Sequence, residues 1–137
     1  MARVLAIDYG SKRTGIAATD FLQIIASPLD TVATSDLLDY LDKYLQTEEV
    51  ECLVVGLPTH KDGSTTELDN HIRGFIKKFS KKHPAVKIER QDERYTSKMA
   101  EEVIRKTVKK KKDRKDKGLI DQISACIILQ EYMGFLD

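Results

Sequence analysis

Residues 3–20 read RVLAIDYGSKRTGIAATD, and this stretch decides the fold. Arg3 to Asp8 is a short apolar run closed by Asp-Tyr-Gly, the pattern of a buried strand that stops at a turn. Gly15 to Asp20 is a second such run and Ile24 to Val32 a third. The links between them are polar or glycine-containing and of hairpin length, so the chain is expected to open with three consecutive strands. Between the first two, the glycine-bracketed turn Tyr9 to Gly15 places two cations, Lys12 and Arg13, beside Asp8.

Working outward, Ser35 is positioned to cap a helix running to about Glu49, with Leu37, Leu38, Leu41 and Leu45 forming an apolar stripe. Cys52 to Gly56 (CLVVG) is a continuous apolar run, as expected of a central parallel strand buried on both sides. Gly56-Leu57-Pro58 breaks it, either as a turn or as the lip of a site, and a polar loop from Thr59 to Thr66 follows. A second helix is expected from about Glu67 to Lys82, carrying Leu68, Ile72, Phe75, Ile76 and Phe79, and then a strand from Val86 to Asp92. Thr96 or Ser97 begins a third helix, which runs into a basic segment. After Gly118 a last helix extends from Leu119 to about Phe135. That helix is apolar on most sides, so it should pack against the sheet. Strands alternating with helices after an opening meander imply an α/β fold, a mixed sheet with helices on both faces.

The chain has 137 residues, which fits a single domain over 1–137, since one hydrophobic core commonly serves about 100 to 200 residues. Hydrophobic residues make up 41% and charged residues 33%, giving a real core under a highly charged surface. There is no run of about 18 apolar residues, and Asp8 comes too early for a signal peptide, so neither membrane insertion nor export is expected. Cys52 and Cys126 sit in apolar runs and read as buried thiols of a reduced, cytoplasmic protein. His60, His71 and His83 share no metal-ligand spacing.

The net charge of +1 hides a polarity. Residues 1–70 contain five basic and twelve acidic residues, whereas residues 71–137 contain eighteen basic and ten acidic ones. Arg105 to Lys117 concentrates nine cations, among them Lys109, Lys110, Lys111, Lys112 and Arg114, against two aspartates. Such a density attracts phosphate polyanions, although a solvated helix face has the same composition.

Three carboxylates can converge at one edge of the expected sheet. Asp8 ends the first strand, Glu93 follows the fifth, and Asp121 lies in the first turn of the last helix. The small residues Ser124 and Ala125 would let that helix approach the sheet on the side where Asp121 points. Clustered oxygen ligands suit Mg²⁺ or Mn²⁺, and paired ions of this kind promote phosphodiester hydrolysis. Each acid also has a plain structural alternative: a turn residue, a surface partner of Arg94, and a helix N-terminal acid.

Asp8-Tyr9-Gly10-Ser11-Lys12-Arg13-Thr14-Gly15, Gly56-Leu57-Pro58, Asp92-Glu93-Arg94 with Thr96, and Asp121-Gln122-Ile123-Ser124-Ala125 with Ile128-Leu129-Gln130 occur in that order. Together they resemble the YqgF-type family of Holliday-junction-resolvase-like proteins, associated with maturation of the small-subunit ribosomal RNA precursor. The resemblance covers almost the entire chain. It implies a ribonuclease H-like fold with strand order 3-2-1-4-5, strand two antiparallel, and Asp8, Glu93 and Asp121 as metal-binding catalytic acids. Lys12, Arg13, Arg94 and the basic segment would hold the nucleic-acid backbone, and Asp92 and Asp116 are candidates for a fourth acid. Thr59-His60-Lys61, Tyr95 and Ser124 depart from the family pattern without touching a proposed carboxylate.

The expected activity is therefore a metal-dependent nuclease, with structured RNA favoured over a four-way DNA junction. The competing readings are a junction resolvase, a catalytically silent nucleic-acid-binding module, and a nucleotide phosphoryl transferase, which would need a second such domain to clamp ATP. A junction resolvase needs two symmetric sites. With no exposed apolar stripe evident in the sequence, the expectation leans to a monomer.

Overall fold

The computed structural model describes residues 2–58, 66–93, 102 and 117–135. The strands are β1 (Arg3–Tyr9), β2 (Arg13–Thr19), β3 (Ala26–Ala33), β4 (Val50–Leu57) and β5 (Lys87–Asp92). The helices are α1 (Leu37–Thr47), α2 (Leu68–Lys82) and α3 (Lys117–Met133), and a 3₁₀ turn at Thr34–Asp36 precedes α1. One sheet has the order β3-β2-β1-β4-β5. β2 is antiparallel to both β1 and β3, whereas β4 is parallel to β1 and to β5. The expected α/β architecture, strand order and antiparallel second strand are all present. This is the ribonuclease H-like arrangement.

Strand alternation divides the core into two layers. Leu5, Ile7, Ile16, Leu53 and Val55 face one way and pack with Leu37 and Leu41 of α1 and Ile72, Phe75 and Phe79 of α2. Val4, Ala6, Ala17, Cys52 and Val54 face the other way and meet Ala125, Cys126, Ile128 and Leu129 of α3. Small residues on β1 and β2 let α3 lie close to the sheet, and both cysteines are buried there as free thiols. Among the described residues no helix is long and apolar enough to cross a membrane.

Three local expectations change. Ser35 does not cap α1. The 3₁₀ turn intervenes, and no side chain caps either helical segment. Instead the Thr34 hydroxyl donates to the Gly10 carbonyl at 2.7 Å, and the Thr34 amide donates to Lys12 O at 2.9 Å, tying the β1–β2 turn to the end of β3. The third strand begins at Ala26 rather than Ile24, because the Asp20 carboxylate accepts the amides of both Ile24 and Ile25 at 2.7 Å and curls residues 20–25 into a turn. An exposed apolar stripe also exists after all. Phe21, Leu22, Ile24 and Ile25 protrude from that turn, the last two from what was expected to be the start of the third strand. The helix expected from Thr96 or Ser97 lies outside the described residues, apart from a helical Glu102.

Candidate active site

Alternation brings the acids together. Asp8 follows Val4 and Ala6 on the α3 face of β1, opposite Gly15 of β2. Gly56 follows Cys52 and Val54 on the same face of β4, and Gln91 pairs with it from β5. Glu93, two residues beyond Gln91, is therefore on this face as well, and its amide prolongs the ladder by donating to Leu57 O at 3.2 Å. To reach Asp8 on β1, the Glu93 side chain must cross β4. It does so over Gly56, where a Cβ would lie 2.9 Å from Glu93 Cδ and 3.0 Å from Ile128 Cδ1. Gly56 is thus a passage and not simply a turn residue. The Asp8 and Glu93 carboxyls meet in a hydrogen bond.

Burial dominates the electrostatics. Desolvation lifts Asp8 to about 6, partly offset by the hydrogen bond from Glu93 and reinforced by the nearby charge of Asp121. Glu93 rises to about 10, through its own desolvation and then through repulsion from Asp8. The pair therefore shares one proton at neutral pH, with protonated Glu93 donating to ionised Asp8. Glu93 Oε2 is buried without a hydrogen-bond partner.

Asp121 arrives from α3. Gly15 makes this possible, because a Cβ there would run into the backbone of Asp121 and Gln122, the latter's nitrogen at 2.9 Å. Thr31 of β3 fixes the start of α3 by donating its hydroxyl to Gly118 O at 2.6 Å. The Asp121 carboxylate is ion-paired with Arg13, which turns inward from β2. The expected convergence is therefore direct for Asp8 and Glu93. Asp121 stands near enough to act on Asp8 through its charge but is held by Arg13. Among the described residues, no three His, Cys, Asp or Glu side chains cluster closely enough to hold an ion. The Asp8–Glu93 pair itself suits a hard divalent cation: its donors are all oxygens, it carries excess proton affinity, and one oxygen is buried without a partner.

The other candidates are scattered. Lys12 is exposed at the tip of the β1–β2 turn, and Asp92 is exposed with its strand parity on the opposite face from Glu93. Arg94, Lys109, Lys110, Lys111, Lys112, Arg114 and Asp116 lie outside the described residues. A second charged group escaped the sequence reading. Asp69, buried at the start of α2, accepts from Arg73 at 2.9 Å and from Arg90 of β5 at 2.6 Å. Arg90 also donates to the carbonyls of Val55 and Gly56 at 3.1 and 3.0 Å and favours ionisation of Glu93. The signal for it was an acid in an otherwise apolar helix stripe and a cation two residues from Ile88, on the same face of β5.

The sequence matches the RuvX Holliday junction resolvase family over residues 2–134. This chain belongs to that family. It is also similar to proteins named "Putative pre-16S rRNA nuclease" in several bacteria. Identity is 50% with that of Christiangramia forsetii, covering 97% of this chain and 98% of the relative. It is 49% with that of Flavobacterium johnsoniae, covering 98% and 97%, and 45% with that of Bacteroides fragilis, covering 97% and 96%. The RuvX match spans every element that positions Asp8, Glu93 and Asp121.

Proposed function

We propose that this RuvX-family chain is a cytoplasmic, divalent-metal-dependent nuclease that trims the 5′ end of the precursor of small-subunit ribosomal RNA. The observation that carries the reading is the buried Asp8–Glu93 pair at the carboxyl ends of two sheet strands, with an oxygen left unpartnered. Relatives about half identical over nearly their whole length bear a matching name. Asp8 and Glu93 would hold Mg²⁺ or Mn²⁺, with Asp121 completing the set once released from Arg13. The ion would supply an activated water and charge stabilisation of the leaving oxygen. The chain's own contribution is to keep the two carboxyls together, dry and on one face. Arg13, freed by that exchange, and exposed Lys12 stand beside the acids, where a phosphate backbone would lie.

The test is cleavage of a labelled RNA carrying the 5′ flank of the precursor, beside a four-way DNA junction, in Mg²⁺, Mn²⁺ or EDTA, with wild type and Asp8→Asn. Metal-dependent cutting of the RNA, lost in the variant, is expected. Cutting of the junction alone would favour the second reading, supported by the family's description as a Holliday junction resolvase. Cutting that survives Asp8→Asn would sink the site assignment. Salt-sensitive binding without cutting of either substrate would leave a binding module.

A further inference from the structure

The end of the sheet opposite the acids carries a feature that hydrolysis does not use. The turn between β2 and β3 displays four large apolar side chains in a row of six residues: Phe21, Leu22, Ile24 and Ile25 are 45, 56, 63 and 62% exposed. The turn is braced in this shape. Asp20 accepts the amides of Ile24 and Ile25, and these bonds, that of Ile25 foremost, hold its carboxyl below the usual range. Gln23 adopts a left-handed φ of 59°. Its side chain donates to Ala2 O at 2.7 Å and to the Glu51 carboxylate, anchoring the turn to the starts of β1 and β4. The left-handed φ of Gln23 costs backbone free energy, and the hydrogen bonds of Asp20 and Gln23 offset it and hold the turn in this shape. Shallow clefts flank the turn on both sides, about 520 Å³ along Val4, Gln23 and Tyr132 and about 270 Å³ along Ile25 and Leu29. An apolar ridge between two grooves is the shape of a protein-docking surface.

Charge identifies the occupant. Beside the ridge stand two exposed acids, Glu51, which accepts from Gln23, and Glu49, next to the start of β1, while Arg3 and Glu48 neutralise one another at 3.2 Å, as do Lys87 and Glu89 at 2.8 Å, leaving a local acidic excess. A nucleic-acid backbone or an anionic lipid surface would be repelled. A second copy docked about a two-fold axis would set these carboxylates against themselves. Pairing through the β3 edge is blunted by Pro28 and by the bulge at Leu29, where register slips between Ile16 and Ala17. We propose that this ridge docks the protein on a basic protein surface of the assembling small ribosomal subunit, leaving the acids at the other end of the sheet to work on the RNA. The proposal rests on the ribosomal-RNA reading of the active site.

The test compares binding of wild type, Leu22→Ser/Ile24→Ser and Glu49→Lys to purified small ribosomal subunits and to protein-free small-subunit RNA. All three substituted positions are exposed, so folding is spared. Wild type is expected to bind the particle at least about tenfold more tightly than the bare RNA, with both variants losing that advantage and keeping their affinity for bare RNA. Equal binding of the particle by wild type and the double variant would overturn the proposal. So would a wild-type dimer in sedimentation that the double variant dissolves. Failure of the wild type to cleave any RNA, with its particle preference intact, would refute the nuclease reading and leave the docking surface standing.

Discussion

Two carboxyl groups buried side by side bind a proton that the unfolded chain releases, and the pH dependence of stability follows from that difference. Asp8 and Glu93 have ordinary values of 3.8 and 4.5 and folded values of about 6 and about 10. Between those limits the folded state holds more protons than the unfolded one, so stability is greatest below about pH 4 as far as this pair is concerned. It declines as pH rises through 6 and towards 10. Asp8→Asn removes the repelling charge and leaves Glu93 a hydrogen-bond partner. In EDTA at pH 8 the variant should be more stable than wild type by about 1–3 kcal/mol, with a flatter pH profile, as read by urea unfolding. Millimolar Mg²⁺ should then raise the wild-type midpoint and leave the variant's nearly unchanged. A variant less stable than wild type in EDTA would show that the pair is not strained by its charges. Both residues were legible in the sequence because each closes a strand. The inward turn of Arg13 onto Asp121 was not, since a rotamer leaves no periodic trace.

At the scale of elements the site depends on two close approaches, and they should fail differently. Gly15 faces the backbone of α3 at Asp121 and Gln122, which cannot step aside without moving the helix. Gly15→Ala should cost about 1–3 kcal/mol and lose cleavage with it. Gly56 faces the end of the Glu93 side chain, which can swing. Gly56→Ala should therefore melt close to wild type and still lose most of its cleavage, because Glu93 can no longer cross β4 to Asp8. Urea unfolding beside single-turnover cleavage separates the two; equal destabilisation would mean that Glu93 is locked in place. Most of this layout could be read in advance. Apolar runs gave five strands, and period-two alternation from Ala6 to Asp8 and from Cys52 to Gly56 puts the site on one face. The caps and the turn at 20–25 could not be read, because competing local hydrogen bonds from Thr34 and Asp20 decide them.

Over the whole molecule the charge is split along the chain. The acidic first half includes the glutamates around the hydrophobic ridge, at the end of the sheet away from Asp8, and the basic excess belongs to residues 71–137. The sequence showed this polarity because charge is additive along the chain, whereas the ridge became visible only once Asp20 had folded the turn. Eight of the nine cations of Arg105 to Lys117 come directly before α3 in the chain, and Lys117 is the first residue of that helix, which delivers Asp121. A polyanion drawn to them is thereby brought to the helix that opens onto the site. Replacing Lys109, Lys110, Lys111 and Lys112 by glutamine removes four of those charges and none of the acids. If all four meet phosphates of single-stranded RNA, the slope of log affinity against log salt should become shallower by about 3, at about 0.7 per phosphate contact. KM should rise while kcat at saturating RNA holds, because the carboxyl pair is untouched. A kcat that fell with KM unchanged would move these lysines from substrate capture into the chemistry itself.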